Sequence, residues 1–458
     1  MNRRGLLRAF AGGVAAATST RHVLAQEKAA KAIRGMPAPK IKDVSVIATQ
    51  PAGARLSVVK ILTDQDGLYG YGCSTFTQRA ELVNLAVEKY LKPLLVGKPV
   101  NRIEDNWQTC YNSSYWRNGP VLNNAISGVD EALWDIKGKQ AGMPVYDLWG
   151  GKCREAVQMF ANAGGAEPKD VVEGVRQAMA RGYKHVRVSA GVRGGGRGGA
   201  GGGDPEGGVG GGGRATSARG LHEGAVFERA PALRRMLDVF AACRKDLGFE
   251  VELMHDMHER YEPRQAIQFV KDCEPFKLYF LEDPLSPEDN DWFRELRAQS
   301  STPIAMGELF NNPHEWTPLI TGRLIDFIRC HVSQVGGVSV ARKIALLAEP
   351  FGVRTAWHGP GDVSPLGHTA QLHLDLASYN FGIQEGGLIA GASAEIFKGC
   401  ATFKDGYLWA NAAPGWGIDM DEKLAAKYPY GTNEQGERGR LNGGWGDLRL
   451  TDGTVIKQ

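Results

Sequence analysis

The chain has 458 residues, of which 43% are hydrophobic and 23% are charged, a composition typical of a soluble globular protein. This length exceeds one ordinary domain, so we expect two. The net charge of +3 gives no reason to expect a nucleic acid or an anionic membrane as partner. The seven cysteines are scattered without CxxC or zinc spacing, which favours isolated thiols, although one pair can still bridge in an oxidising compartment.

The N-terminus carries a candidate export signal. A twin arginine at residues 3–4 precedes the mildly apolar run AFAGGVAAATS, and the small-residue pattern VLA at 23–25 would leave Gln26 as the first mature residue. Weak hydrophobicity and a late positive charge fit a twin-arginine signal better than an ordinary secretory one. The run is too short to span a bilayer, so we expect no membrane anchor. We predict a signal peptide at 1–25 and a periplasmic or otherwise exported protein, the alternative being a cytoplasmic protein with a basic, disordered start.

The next part of the chain predicts an α+β domain. A Lys/Ala/Pro linker occupies residues 26–40, and alternating runs at 42–49 and 56–63 predict two strands. Helical periodicity follows, most clearly at 121–141. Strands followed by helices are typical of an α+β arrangement, whose bounds we place at 41–155.

From residue 157 the chain alternates short strand-like runs with helical ones, enough for a parallel barrel of seven or eight strands. We place this barrel at 156–398 and expect the segment 399–458 to return to the first domain. A tract at 190–215 is mostly glycine and cannot bury a core, so we interpret it as a mobile loop over the barrel mouth. Its few arginines and lack of aromatic residues argue against a nucleic-acid-binding function.

Three carboxylates recur at one interval within this barrel. Asp256, Glu282 and Glu308 each follow a strand-like apolar run, and successive acids are 26 residues apart. One β/α unit fills such an interval, so three successive parallel strands would deliver the acids to the same end of the barrel. Three hard oxygen ligands without Cys or clustered His suit Mg²⁺. The alternative, in which each acid caps a helix or pairs with a surface base, is weakened by the regular spacing.

Other strand ends add groups that bind anions and move protons. They are His258, Arg187, Arg329, His358 and Glu385. If the strand still alternates after Asp256, His258 faces the mouth and His255 packs on the other side. A divalent ion and an arginine stabilise the charge that forms when a proton leaves the carbon beside a carboxylate. One histidine can then serve as base, and a second can protonate a departing hydroxide.

The chain resembles the enolase superfamily, and within it the mannonate dehydratase-like group, from about residue 41 to about residue 430. The motifs that carry the resemblance are RIEDNWQTCYNSSYWRNGPV, VDEALWDIKGKQAGMPVYDLWGGK, HDMHERYEP, LEDPLSPEDN, GELFNN, IDFIRCHVSQVGG, WHGPGDVSPLG and NFGIQE. The resemblance implies an α/β fold, an α+β capping domain on a (β/α)₇β barrel. It also implies β-elimination of water from an aldonic acid such as D-mannonate or D-gluconate, giving a 2-keto-3-deoxy sugar acid.

The resemblance further implies roles for individual residues. The Mg²⁺ ligands would be Asp256, Glu282 and Glu308, and His258 would be the acid that expels the hydroxide. The residues that hold substrate or tune the base would be Arg187, Arg329, His358 and Glu385. Tyr115 and Trp116 of the capping domain would help to close the pocket. We also expect a homo-oligomer.

The chain departs from the pattern of that group at its base. The group uses a tyrosine on the loop after the second strand, and this chain has no tyrosine between Tyr183 and Tyr261. Asn162 stands near the place of a substrate-contacting histidine, and LTDGTVIKQ replaces an aromatic C-terminal end. We therefore expect a Mg²⁺-dependent sugar-acid lyase of low efficiency on mannonate. Without that tyrosine, proton abstraction falls to His358, to Arg187 working through water, or to no residue. The alternatives are another reaction of the superfamily, either dehydration of another aldonate or a racemisation with His358 as base, and a metal-retaining sugar-acid-binding protein with little catalysis.

The export hypothesis predicts that replacing the twin arginine, Arg3→Lys with Arg4→Lys, leaves uncleaved precursor in the cytoplasm, because the transport pathway recognises that pair. Cell fractionation with mass spectrometry of the N-terminus measures the effect, with Arg8→Lys as a control of the same chemistry outside the pair. A wild-type protein that stays uncleaved and cytoplasmic in its own host would contradict the hypothesis.

Overall fold

The computed structural model describes residues 38–190, 225–361, 363–431 and 448–457. The predicted signal peptide at 1–25, the linker up to residue 37 and the glycine tract from 191 to 215 lie outside these ranges. The fold described below belongs to one compact unit, residues 40–458.

An antiparallel three-stranded sheet opens the fold. Its strands are β1 (Ile41–Thr49), β2 (Leu56–Thr63) and β3 (Tyr69–Cys73), in the order β1-β2-β3. The segments that follow are a 3₁₀ turn at Thr77–Arg79, α1 (Ala80–Leu85), a π-helical stretch at Ala86–Leu91, α2 (Lys92–Leu95), α3 (Ile103–Tyr111), α4 (Pro120–Ala141) and α5 (Val145–Leu148). Sheet and helices form the α+β part that the alternating and helical runs predict.

Helix α4 packs unusually close to β3. A Cβ built on Gly72 would lie 2.1 Å from the carbonyl oxygen of Gly128, and one on Gly70 would lie 2.1 Å from that of Ala132. The helix starts with a proline at its first position and ends before Gly142, whose φ of 69° is left-handed. The two strand glycines therefore allow the helix to rest directly on the sheet backbone.

Seven parallel strands form the main sheet. They are β5 (Phe160–Gly165), β6 (His185–Ala190), β8 (Glu252–Asp256), β9 (Phe280–Glu282), β10 (Ile304–Met306), β11 (Phe327–Ile328) and β12 (Arg354–Thr355), paired in that order. Phe381 forms a parallel bridge with Thr355, and Gln384 forms one with Met159. Residues 381–384 thus join the last strand to the start of the first and close the sheet. The predicted fold class, a (β/α)₇β barrel with an α+β capping domain, is confirmed.

Helices separate the barrel strands. They are α6 (Pro168–Ala180), α7 (Arg229–Leu247), α8 (Pro263–Asp272), α9 (Phe293–Gln299), α10 (Pro313–Thr321), α11 (Val338–Ala348) and α12 (Pro365–Ala377), with 3₁₀ turns at Glu274–Phe276, Pro287–Trp292 and Glu349–Phe351. Capping boxes start three of these helices, at Glu167, Glu262 and Asn312, each followed by proline. These local signals mark where three of the loops that leave a strand end and a helix begins.

The segment after the barrel returns to the first sheet. Its elements are α13 (Gly391–Ile396), β13 (Phe397–Lys398), β14 (Thr402–Lys404), β15 (Tyr407–Trp409), β16 (Asp419–Met420), α14 (Glu422–Ala425) and β17 (Leu448–Arg449), with β4 (Val157–Gln158) pairing with β15 and β7 (Ala225–Val226) with β17. The Tyr71 hydroxyl donates to Glu422 Oε1 at 2.6 Å, and the Thr49 hydroxyl donates to the Ala425 carbonyl at 2.9 Å. These bonds attach the segment to β1 and β3.

All seven cysteines are free, five of them buried, so the expectation of isolated thiols is confirmed within this chain. Across the described ranges, no helix is both long and apolar enough to cross a membrane.

The close contact of β3 with α4 predicts that Gly72→Ala lowers the free energy of unfolding by about 1–3 kcal/mol or more, because the added methyl meets backbone that cannot move aside. Gly174→Ala is the matched control, since its Cβ would first meet the Ala163 methyl at 3.2 Å and alanine favours a helix interior. Urea denaturation compares the two variants. Equal stability of both would contradict the proposed close packing.

Candidate active site

The predicted acids stand at the ends of neighbouring strands. Asp256 ends β8 and Glu282 ends β9, where the two residues are paired in register. Glu308 follows the end of β10 by two residues. All three side chains are buried. The spacing argument therefore places the acids correctly at the carboxyl ends of three adjacent parallel strands.

One further acid, Asp283, belongs to this cluster. Oxygens of Glu282, Asp283 and Glu308 all lie within 4.8 Å of one another. Strand alternation would point Asp283 away from Glu282, but its φ of 40° turns the backbone, and its Oδ1 accepts the Gly307 N–H at 3.2 Å. The sequence analysis missed Asp283 for that reason, and the only available signal was its position directly after Glu282.

Asp256 is not one of the three acids in that group, but it is paired in register with Glu282 and has an unused acceptor. Its Oδ2 is 3.8 Å from Arg187 Nη1, while its Oδ1 is buried without a hydrogen-bond partner. An orphaned buried carboxylate oxygen next to three clustered carboxylates is the donor set that a hard divalent cation takes. The described residues therefore fit Mg²⁺ on chemical grounds, and the assignment of Asp256, Glu282 and Glu308 as its ligands stays a prediction.

Burial and mutual repulsion disfavour ionisation of the clustered acids. Burial raises the pKa of Glu282 to about 6, although Arg329 acts against that rise. Burial, followed by neighbouring carboxylates such as Asp256, raises the pKa of Asp283 and of Glu308 well above the usual range. A bound cation would offset both costs, because it replaces lost hydration and screens like charges.

Two arginines bind Glu282, of which Arg329 is fully buried and Arg187 is partly exposed. Arg187 Nη1 donates to Glu282 Oε2 at 3.1 Å and its Nη2 lies 2.8 Å from Glu385 Oε1. Arg329 donates from Nε to Glu282 and from Nη2 to Glu385. Burial opposes ionisation of Glu385, but the two guanidiniums outweigh it and hold the pKa of that carboxyl well below its usual range. Both predicted arginines and Glu385 thus form one charged network with the acid cluster.

Two histidines approach the two carboxylate oxygens of Glu308. His258 Nε2 lies 3.5 Å from Glu308 Oε1, and His358 Nε2 lies 3.2 Å from Glu308 Oε2. The alternation assumed for His258 is wrong, because φ is 56° there and the chain has left the strand. The left-handed turn nevertheless brings its ring to Glu308. His255 lies outside this site, with Nδ1 at 2.9 Å from the Val188 carbonyl.

A third histidine was missed by the sequence analysis. His331 Nδ1 lies 2.8 Å from His358 Nδ1, and the two residues form an isolated parallel bridge. Burial lowers the pKa of His331 to about 4, so its ring is neutral. One of the two facing nitrogens must carry the proton and the other must accept it. The position of His331 in IRCHV, two residues after Arg329, was the available signal.

The remaining predicted residues have different environments. Asn162 is paired in register with Arg187, and its Oδ1 accepts from Arg187 Nε at 2.9 Å. Tyr115 and Trp116 are 86% and 83% exposed, and their rings meet edge to face at 5.5 Å. The structure therefore places Asn162 within the charged network and the aromatic pair in solvent, where its role in closing the pocket stays a prediction.

The chain matches two family models and several known proteins. Residues 23–150 match the model of the mandelate racemase / muconate lactonizing enzyme N-terminal domain, and residues 170–424 match the enolase C-terminal domain-like model. A D-galactonate dehydratase family member of Musicola paradisiaca is 48% identical, covering 91% of this chain and 99% of the relative. One of Salmonella enteritidis is 50% identical, with 91% and 98% covered.

A solved structure agrees with these relatives. It is described as an enolase from Pantoea ananatis with bound D-gluconate and Mg. The two chains are 47% identical, and the match covers 92% of this chain and 100% of the Pantoea chain, with a TM-score of 0.84.

The acid cluster predicts that Glu282→Gln weakens Mg²⁺ binding by about 10–100-fold or more, because even supporting groups around a metal are worth that much and a ligand charge is lost outright. Asp256→Asn should lose as much, since its Oδ1 has no other partner. Asp283→Asn should lose less, because its Oδ1 already accepts the Gly307 N–H.

Isothermal titration of the four proteins measures these losses, with the exposed acid of Glu173→Gln as control. Full-strength binding by Glu282→Gln would overturn the site, and a larger loss in Asp283→Asn than in Asp256→Asn would make Asp283 the third ligand.

Proposed function

This chain belongs to the enolase superfamily, in its mandelate racemase / muconate lactonizing enzyme family, and we propose on that premise that it is a Mg²⁺-dependent dehydratase of a sugar acid. The observation that carries the proposal is the cluster of buried carboxylates beside Arg187 and Arg329 at the barrel's carboxyl end. Active sites of barrel enzymes lie at that end. A cation there and two guanidiniums together suit a substrate carboxylate.

Asp256, Glu282 and Glu308 would hold the Mg²⁺ ion. When bound, it supplies positive charge beside the substrate carboxylate, where negative charge gathers as the α-proton leaves. Arg187 and Arg329 are fixed by Glu282 and Glu385, so their guanidiniums keep one position without reorganisation. Their role is to orient the carboxylate and to balance the charge on the acid side of the pocket.

His358 is our candidate for the base. A neutral imidazole has one N–H and one lone pair, and His358 presents Nδ1 to His331 and Nε2 to the pocket side at Glu308. If His358 donates from Nδ1 to His331, its Nε2 keeps a lone pair that can take the α-proton. In that tautomer His331 would orient His358 in the way that a second group orients a catalytic histidine.

His258 is our candidate for the acid that protonates the departing hydroxide. His258 Nε2 lies near Glu308 Oε1, and His358 Nε2 lies near Glu308 Oε2. The two rings therefore approach different oxygens of one carboxylate. A β-elimination needs a base at the α-carbon and an acid at the neighbouring carbon, which this separation provides.

The substrate class is supported by the relatives. The Musicola and Salmonella relatives are named as D-galactonate dehydratase family members, and the Pantoea structure holds D-gluconate with Mg. These names indicate six-carbon aldonic acids. D-mannonate and D-gluconate differ in configuration at the α-carbon and present its proton to opposite faces. A single base at His358 would therefore take the α-proton of only one of the two. Because the loop tyrosine is missing, we expect that D-mannonate is turned over poorly.

A second function is favoured by that same absence. A protein that keeps the acid cluster and arginine network but lacks an effective base would bind sugar acids with little catalysis. Another superfamily reaction, such as a racemisation with His358 as base, uses the same groups. A screen of acid sugars for 2-keto-3-deoxy product, with Mg²⁺ and after EDTA, separates enzyme from binding protein.

We also propose that the protein acts after export and as a homo-oligomer. The export proposal is supported by the N-terminal pattern of the chain.

The base assignment predicts weak or no dehydration of D-mannonate by the wild type. On the best substrate found, His358→Asn should reduce turnover and solvent-deuterium exchange at the α-carbon by about 10²–10⁴-fold, the usual contribution of a positioned base. His314→Asn, an exposed histidine on α10, is the matched control. Brisk mannonate turnover by the wild type, or exchange that survives in His358→Asn, would refute the assignment.

A further inference from the structure

A second pocket opens at the end of the barrel opposite the acid cluster. It has a volume of about 590 Å³, and its wall includes Arg154, Gln158, Arg354 and Phe381. Arg354 is the first residue of β12, and Phe381 bridges the residue after it. Because the barrel strands are parallel, their starts lie at the opposite end from Asp256 and Glu282. This volume falls in the range of small-molecule sites.

The pocket carries an excess of positive charge. Its wall contains two arginines, Arg154 and Arg354, and one carboxylate, that of Glu349. Within the described ranges, neither guanidinium has a carboxylate oxygen within 4.0 Å, and both donate hydrogen bonds to main-chain carbonyls. Burial lowers the pKa of Arg154, the nearby Asp375 carboxylate acts against that fall, and the charge of Arg354 adds a smaller lowering. The two cations therefore repel each other, and an anion between them would relieve that repulsion.

Donors remain available for such an anion. A guanidinium carries five N–H donors, and the bonds of Arg354 come from Nε and Nη2, to the Phe381 carbonyl. The Arg354 side chain also hydrogen-bonds the Tyr279 side chain, and the donors that remain of the five can face a ligand. The bonds of Arg154 come from Nη1 and Nη2, which leaves its Nε. Two forks with spare donors are the groups that bind carboxylate and phosphate oxygens.

An acceptor and aromatic rings complete the wall. Asn380 Oδ1 is buried without a hydrogen-bond partner, although the same amide donates to Ala345 and Val353 carbonyls. A ligand hydroxyl can satisfy it. Tyr379 and Tyr407 also line the pocket, and the Lys184 ammonium lies 6.0 Å from the Tyr407 ring centroid. The wall thus offers cations for an anion, one acceptor for a hydroxyl and flat apolar faces for carbon atoms.

We propose that this pocket is a second ligand site, which binds a small hydroxylated oxyanion, a carboxylate or a phosphate, between Arg154 and Arg354. The site is independent of the proposed reaction at the other end of the barrel. The competing explanation is that both arginines only hold the main-chain carbonyls that surround the closing segment 381–384. That explanation predicts a loss of stability on mutation and no anion binding.

Hydrogen–deuterium exchange on the full chain, freed of metal with EDTA, tests the proposal with inorganic phosphate and with D-gluconate as separate probes. We expect protection at residues 154–158 and 379–382 with at least one probe, and loss of protection as NaCl is raised. Arg354→Gln should weaken the binding by about tenfold or more, since charged hydrogen bonds are removed. Arg294→Gln removes an exposed arginine of α9 outside the pocket and should bind as the wild type does.

The two probes distinguish a phosphate ligand from a hydroxy-carboxylate. Arg154→Gln repeats the test if Arg354→Gln does not fold, and the wild-type exchange map stands without either variant. Protection confined to the acid-cluster end, no protection with either probe at about 10 mM, or equal binding by Arg354→Gln and the wild type would overturn the proposal.

Discussion

The structure depends on the burial of opposite charges at the carboxyl end of the barrel. Glu282 is fully buried and lies between two arginines on one side and other carboxylates on the other. A charge buried without compensation is strongly destabilising, so each member of this network is needed by its neighbours. The carboxylates outnumber the arginines, and the remaining negative charge is what a divalent cation would neutralise. The same excess of buried carboxylates destabilises the fold and favours the binding of a metal ion together with an anionic substrate.

The capping domain supports this site through helix α4. Asn123 donates from Nδ2 to the carbonyls of Asn311 and Gln334, on the loops that follow Glu308 and His331. Further along the helix, Asp130 accepts from the Ser339 N–H and hydroxyl at 2.8 and 2.5 Å. The helix can make these contacts because β3 offers it glycine backbone to rest on. The packing of this one helix therefore positions the loops that follow Glu308 and His331.

The proposed reaction needs both charge stabilisation and proton abstraction, which different residues of the candidate active site would supply. The clustered acids and the arginine network would supply the first, while residues 190–215, near the place where the related group carries a tyrosine, are mostly glycine. In the proposed reaction, proton abstraction falls to His358, whose Nδ1 lies 2.8 Å from His331 Nδ1. Binding and catalysis are in this way separable properties of the same barrel end.

The sequence by itself determined the barrel, the capping domain and the acids at the ends of three strands, because hydrophobic periodicity and strand spacing are local properties that survive in one dimension. It also located Arg187, Arg329 and Glu385, which continue regular strands. Only the tertiary structure decided that Asp283 joins the cluster, that His258 reaches Glu308 from a left-handed turn, and that His331 pairs with His358. Those outcomes depend on positive φ angles and on contacts between separate loops. No periodic pattern records such features, because they arise only when the strands have been brought side by side.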